Sequence, residues 1–241
     1  MGTVCEITAY GPSSKRAQSA AFAEIARLDR VLSLYKKESE LSILNREAGL
    51  KTFHCSESLW EALILAWRLA RASGGAFDPT ILPVLRLGHE ALPCVGFRKL
   101  SFNASNRTIQ FKRPGMGLDF GGIGKGLALD HAARVLRQNG ASAALINFGG
   151  QILARGAPPG KRGWDVRVPG QKQGFLLRDA SVSTSGNKEK PGHIVSPFTG
   201  HPVMAPDAVS VIAPTGAEAD AWSTALFVLG STPKDFPHCA L

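Results

Sequence analysis

Helix-period and strand-period segments follow one another along this chain without the regular alternation that a doubly wound parallel sheet requires. Val4 to Tyr10 reads as a short strand. Residues 16–32 read as a helix, with Phe22, Ile25, Leu28 and Leu32 at helical spacing. Residues 58–72 read as a second helix: Ser58-x-x-Glu61 matches a capping box, Leu59, Leu63, Ala66 and Ala70 share a face, and Ser73-Gly74-Gly75 ends it. Arg107 to Phe111 reads as a strand, and residues 125–138 as a third helix stopped by Asn139-Gly140. Ala144 to Asn147 and Gln151 to Ala154 flank Phe148-Gly149-Gly150 as a strand pair, and 156–163 is a Gly/Pro/basic loop. Val209, Val211 and Ala213 alternate in a strand, and Thr215-x-x-Glu218 opens a last helix that runs to about Gly230. This order predicts an α+β fold, with antiparallel sheets and helices packed outside them. No stretch reads as a linker, so residues 1–241 are expected to form a single domain.

The 241 residues are enough to bury a core, and 44% apolar with 20% charged residues is ordinary for a globular protein. The formal charge of +9 is scattered, without a basic run or a nucleic-acid-binding signature, and suits a phosphate-bearing small molecule better than nucleic acid. Cys5, Cys55, Cys94 and Cys239 form no C-x-x-C, which argues against a zinc knuckle or a thioredoxin-type site; unpaired, mostly buried thiols are expected. No 18-residue apolar stretch predicts a transmembrane segment, and Met1-Gly2-Thr3-Val4-Cys5 lacks the features of a signal peptide.

Four segments carry candidate chemistry. In Leu118-Asp119-Phe120-Gly121-Gly122-Ile123-Gly124-Lys125-Gly126, glycines crowd the start of a helix, where backbone N–H groups can approach a phosphate, and Lys125 adds a mobile positive charge. It is neither a Walker A loop nor a dinucleotide fingerprint, since Gly126 and Leu129 stand where those motifs need Ser/Thr and Gly. In Ala219-Asp220-Ala221-Trp222-Ser223-Thr224, Asp220 and Thr224 are four apart on a helix, so a carboxylate and a hydroxyl share one face and could hold Mg²⁺, which prefers oxygen ligands. The third segment runs from His193 through Ile194 and Ser196 to Gly200, preceded by Thr184-Ser185-Gly186; the fourth is Gly75-Ala76-Phe77-Asp78-Pro79-Thr80. Each has a plain structural alternative: a glycine turn with a solvated lysine, an aspartate favoured by the helix dipole, and two ordinary turns.

Taken in order, these segments resemble the ApbE family of FAD:protein FMN transferases. The resemblance runs from about residue 2 to 230. It takes in Leu32-Ser33-Leu34-Tyr35, Ser39-Glu40-Leu41-Ser42 with Asn45, Gly75 to Thr80, Asp119 to Gly126 with Asp130, Asn147-Phe148-Gly149-Gly150, Thr184-Ser185-Gly186, His193 to Gly200 and Ala219 to Gly230. It implies an enzyme that binds FAD with Mg²⁺, cleaves the pyrophosphate, attaches FMN by a phosphoester bond to a threonine of a redox-complex subunit, and releases AMP. Two rivals share the same residues: a Mg²⁺-dependent FAD diphosphatase, and a flavin-binding maturation accessory protein without turnover.

Carried over by residue, Asp220, Thr224 and the backbone carbonyl of Gly122 would be metal ligands. Ala76, Phe77, Asp78, Asp119 and Ile194 would line the FAD site, Tyr35 would contact the nucleotide, and Lys125 and His193 would sit near the pyrophosphate. His193, Asp220 and Lys125 are the candidate catalytic residues, with Asp220 the nearest candidate to take the acceptor proton. The chain carries Ser196 and Gly124 where the family pattern has Asp and Ala, and the stretch from Gly186 to His193 is short. The family implies the bacterial cell envelope or periplasm as location, and the missing export signal leaves the cytoplasm as the alternative.

Overall fold

The computed structural model describes residues 3–171, 173–188, 190–205 and 207–241; Met1 and Gly2 of the amino-terminal reading lie outside them. The elements in order are β1 (Cys5–Tyr10), α1 (Ser14–Leu32), α2 (Glu40–Glu47), β2 (Phe53–His54), α3 (Glu57–Ala72), α4 (Leu82–Leu87), β3 (Leu100–Asn103), β4 (Thr108–Phe111), α5 (Gly124–Gln138), β5 (Ala143–Phe148), β6 (Gln151–Arg155), β7 (Trp164–Val166), β8 (Phe175–Leu177), β9 (Ala180–Ser185), β10 (Val209–Ala213), α6 (Gly216–Leu229) and β11 (Cys239–Ala240). A six-stranded sheet has the order β1-β5-β6-β9-β10-β11, and every pairing in it is antiparallel. A three-stranded sheet β2-β4-β3 and the hairpin β7-β8 stand beside it. The α+β architecture expected from the sequence is the one observed.

Strand alternation explains the layering. Ala144, Ile146 and Phe148 of β5 and Val211 and Ala213 of β10 point to the core shared with α1, α3, α5 and α6. The residues between them, Ala143, Leu145 and Ile212, join Val182 and Ala154 beneath Trp164, Val166 and Leu177 of the β7-β8 hairpin. The sheet is therefore apolar on both faces, with helices on one and a hairpin on the other.

Local sequence sets the helix boundaries, with two corrections. The second helix is not opened by Ser58: the Ser56 hydroxyl accepts from Leu59 N (3.3 Å), while Ser58 Oγ accepts from Arg27 Nη1 (2.9 Å). Glu61, the other half of the expected box, pairs with His131 and Arg134 instead. Both serines fit the capping pattern, and Arg27 takes the Ser58 hydroxyl, which leaves Ser56 as the cap. On α1, Phe22 is 42% exposed, and the buried stripe is Ala17, Ala21, Ile25, Leu28 and Leu32, whose alanines let α1 lie close along α5. The expected Thr215 cap of α6 forms, with Glu218 on the Thr215 hydroxyl in place of its backbone N–H: Thr215 Oγ1 accepts from Glu218 N (3.2 Å) and donates to Glu218 Oε2 (2.8 Å), and Gly230 closes the helix in the left-handed conformation at φ +67°.

The four thiols are unpaired, and burial pushes Cys5 up to about 11 and Cys55 up to about 12, which makes both inert at neutral pH. The expectation of mostly buried thiols holds for Cys55 only in full: Cys5 and Cys94 are half-buried and Cys239 is exposed on the last strand. Among the described residues, no helix is long and apolar enough to cross a membrane.

Candidate functional site

The glycine-rich stretch is held from both ends before it enters α5. Asn45 of α2 grips its start: Asn45 Nδ2 donates to the Leu118 carbonyl (2.9 Å), and Leu118 N donates to Asn45 Oδ1 (2.7 Å). Asp119 N donates to the Pro79 carbonyl (2.8 Å), which ties this stretch to the turn at 75–80. The Asp119 carboxylate accepts from Gly121 N and so shapes the turn. Burial pushes the Asp119 carboxyl above the usual carboxylate range, against the opposing pull of that hydrogen bond and of Arg86.

Two glycines fix what this stretch can touch. A Cβ on Gly122 would meet Thr224 Oγ1 at 3.1 Å and the Phe77 ring at 3.3 Å. A Cβ on Gly126 would lie 2.1 Å from the Gly216 carbonyl oxygen, and one on Gly216 would lie 2.4 Å from the Gly126 oxygen. Helices α5 and α6 therefore cross backbone to backbone at these two residues.

The crossing delivers Asp220, only 3% exposed, to the first turn of α5. Asp220 Oδ2 accepts from Gly126 N (3.1 Å), and Oδ1 faces Lys125 Nζ (3.4 Å) and the Ser183 hydroxyl (3.3 Å). One turn on, Thr224 Oγ1 donates to the Asp220 carbonyl (3.1 Å) and lies 3.4 Å from Ser185 Oγ, which pairs with Ser223 Oγ at 2.9 Å. Of the residues singled out in the sequence, Gly122, Lys125, Asp220, Thr224 and Phe77 come together here. The chain was expected to use Thr184-Ser185-Gly186, but Ser183 is an addition. Its signal was the alternation of Ser181, Ser183 and Ser185, which puts three hydroxyls on one face of β9.

Other expected residues have hydrogen-bond partners or exposure of their own. Asp78 is buried and fully engaged: Oδ1 accepts from Thr80 N (2.8 Å) and Oγ1 (2.6 Å), and Oδ2 accepts from Phe97 N (2.9 Å). It caps the Pro79 turn, and burial raises its pKa. Ala76 is buried beside it, and Tyr35 is 90% exposed. His193 is exposed on its loop, whereas Ile194 is buried and accepts through its carbonyl from Val203 N (2.8 Å). His193 Nδ1 bonds the Lys190 carbonyl. A carbonyl can only accept, so Nδ1 carries the proton and a neutral ring presents Nε2 as an acceptor. Ser196 does part of what an aspartate would do in its turn: its hydroxyl accepts from Phe198 N (3.3 Å).

Among the described residues, the donors around Asp220 and Thr224 that could serve a cation are oxygens, with one carboxylate, a threonine hydroxyl and serine hydroxyls, and no group of three or more His, Cys, Asp or Glu is placed to hold a metal ion. That set fits Mg²⁺, which binds through one or two carboxylates and leaves positions for phosphate oxygens. A groove of about 970 Å³ opens on the other flank of the crossing, lined by Asp130, Arg134, Arg137, Glu218 and Trp222; it contains none of Lys125, Asp220 or Thr224.

Comparison with known proteins converges on one family. The sequence profile described as the ApbE family matches residues 1–235. The FAD:protein FMN transferase of Treponema pallidum (strain Nichols) is 32% identical over 278 residues, covering 95% of this chain and 77% of that protein. The protein of the same name from Escherichia coli (strain K12) is 30% identical over 268 residues, covering 95% of this chain and 76% of that one. Among solved structures, the ApbE protein of Thermotoga maritima superposes with a TM-score of 0.85 at 25% identity, covering 95% of this chain and 84% of that one. The flavin transferase ApbE of Vibrio cholerae superposes with a TM-score of 0.84 at 24% identity over the same shares and shares the fold.

Proposed function

The chain belongs to the ApbE family, and on that premise we propose that it transfers FMN from FAD to a threonine hydroxyl of an acceptor protein, with Mg²⁺ as cofactor, the whole chain acting as one domain. The relatives named FAD:protein FMN transferase support the FAD substrate and the protein acceptor. The observation that carries the reading for this chain is the meeting of Asp220, Thr224, Gly122 and Lys125 at the α5–α6 crossing.

In the reaction the threonine oxygen attacks the FMN-side phosphorus. The new P–O bond forms as the pyrophosphate P–O bond breaks, AMP leaves, and the hydroxyl proton passes to a base. Such transfers depend on charge neutralisation and positioning more than on covalent chemistry. Asp220, Thr224 and the Gly122 carbonyl would hold Mg²⁺, which when bound neutralises phosphate charge. Lys125, one residue from the glycine backbone, supplies a second positive charge toward the pyrophosphate. Phe77, packed against Gly122, and Ala76 line the FAD site. Asp78 and Asp119 shape that site through the turns they hold, and Ile194 anchors the loop that carries His193. Tyr35 is free to close over the nucleotide.

Asp220 is poorly suited to take the proton, because its oxygens already accept from Gly126, Lys125 and Ser183. His193 is the better base. The Lys190 carbonyl holds its proton on Nδ1 and leaves Nε2 open. The acceptor is a subunit of a redox complex, modified in trans.

The test is nucleotide product analysis. With FAD and Mg²⁺, AMP release is expected to depend on the acceptor protein, and free FMN is not expected to accumulate. Free FMN and AMP formed without acceptor would make the chain a diphosphatase. FAD binding with neither product would make it a flavin-binding accessory protein.

A further inference from the structure

The α5–α6 crossing has an internal symmetry. Each helix puts a glycine at the contact, Gly126 on α5 and Gly216 on α6, and each carries an aspartate four residues further on, Asp130 and Asp220. Each aspartate accepts the amide of the other helix's glycine: Gly126 N donates to Asp220 Oδ2 (3.1 Å), and Gly216 N donates to Asp130 Oδ1 (2.7 Å). Asp130 Oδ2 also accepts from Ala217 N (2.9 Å). The two Gly-x-x-x-Asp segments form a reciprocal clasp.

The two halves are not equivalent in what else they do. Asp220 Oδ1 is turned to Lys125 and the hydroxyl cluster, whereas both Asp130 oxygens are spent on the first amides of α6. Thr215 already caps α6 locally, so Asp130 is not needed to start that helix. What a carboxylate from the neighbouring helix adds is register: it fixes the axial position and rotation of α6 against α5. Gln151 Nε2 holds the same peptide from the sheet side, donating to the Gly216 carbonyl (2.8 Å). Asp220 and Thr224 lie one and two turns along the helix so fixed.

We propose that Asp130 is the positioning residue of the metal site: it sets the register of α6 that aims Asp220 and Thr224 at Gly122 and Lys125. The proposal rests on the Mg²⁺ reading given above. In Asp130→Asn one side-chain oxygen can still accept, but the amide NH₂ would face a backbone N–H, which turns or shifts the end of α6.

The experiment is Mn²⁺ binding to the full chain in the presence of FAD, followed by the EPR signal of the free ion, on folded protein verified by circular dichroism. Asp130→Asn is expected to weaken Mn²⁺ binding by about tenfold or more, the usual effect of losing a group that orients ligands. A residue that only stabilised the fold would lower the melting temperature and leave the affinity of the folded protein unchanged, and that result overturns the proposal. If Asp130→Asn does not fold, Asp130→Glu keeps the charge and both acceptors but lengthens the arm by one methylene. Weakened binding in that variant supports the register role, and unchanged binding overturns it. Asp220→Asn run alongside separates the two ideas. Loss of Mn²⁺ there with full binding in the Asp130 variants sinks the positioning role alone. Full binding in Asp220→Asn removes the metal reading, and this proposal with it.

Discussion

Asp220→Asn is expected to lower Mg²⁺-dependent AMP release from FAD by at least about a hundredfold, the scale on which removal of one preorganised electrostatic group acts, while the protein stays folded. The change is isosteric and keeps one oxygen that can accept from Gly126 N. Lys125 loses its partner but is about a third exposed, so water solvates the freed charge. Asp220 also sits in the second turn of α6, where the helix dipole contributes less than about 1 kcal/mol. The stability cost is therefore small, and the catalytic cost is large, because Asp220 is, among the described residues, the sole carboxylate in the oxygen cluster. Chelation of Mg²⁺ by EDTA should reproduce the defect in the unaltered protein, and excess Mg²⁺ should restore part of the variant's activity. A folded variant whose AMP release follows the same Mg²⁺ curve as the parent would exclude the metal site.

Gly126→Ala is expected to cost about 3 kcal/mol of stability. In an exposed helix the same change would stabilise by up to about 1 kcal/mol, because alanine is the better helix former. Here the added Cβ would stand 2.1 Å from the Gly216 carbonyl oxygen, 2.3 Å from its carbon and 2.6 Å from Ala217 N. These are backbone atoms pinned by Asp130 and Gln151, so no rotamer change relieves the contact and the two helices must separate. Gly49 is the matched control: nothing lies within 4 Å of its added Cβ, so Gly49→Ala is expected to change stability by less than about 0.5 kcal/mol. Urea unfolding of both variants measures the difference. A Gly126→Ala protein as stable as Gly49→Ala would mean the helices do not touch there.

Much of this fold could be read from local sequence, and the parts that could not share a cause. Leu59, Leu63, Ala66 and Ala70 declare a helix face because burial and period coincide within one element. Thr215 and Gly230 mark both ends of α6 by capping chemistry that acts over three or four residues. Asp220 and Thr224 were recognisable as one face for the same reason. The two-residue strands Phe53–His54 and Cys239–Ala240 were not, since two residues show no period. The choice of Ser56 over Ser58 turned on Arg27, thirty-one positions away, which takes the Ser58 hydroxyl. Phe22 fits the helical period of α1 but stays exposed because Ala17 and Ala21 occupy the face against α5. The site follows the same rule. The glycines of the stretch before α5 suggested close approach to a phosphate, yet Gly122 makes room for Thr224 and Phe77, and Gly126 makes room for Gly216. Asp78 looked available to a ligand because its partner Phe97 lies nineteen positions on. Contacts between distant segments decided each of these, and no local pattern encodes them.

The mass of the acceptor shows where the FMN goes. A redox-complex subunit bearing a threonine acceptor segment would be incubated with the protein, FAD and Mg²⁺, then analysed intact and after proteolysis. The expected result is a gain of one FMN in phosphoester linkage on that threonine, equal in amount to the AMP released, and no gain when the threonine is replaced by valine. An acceptor of unchanged mass beside accumulating free FMN and AMP would contradict transfer to protein.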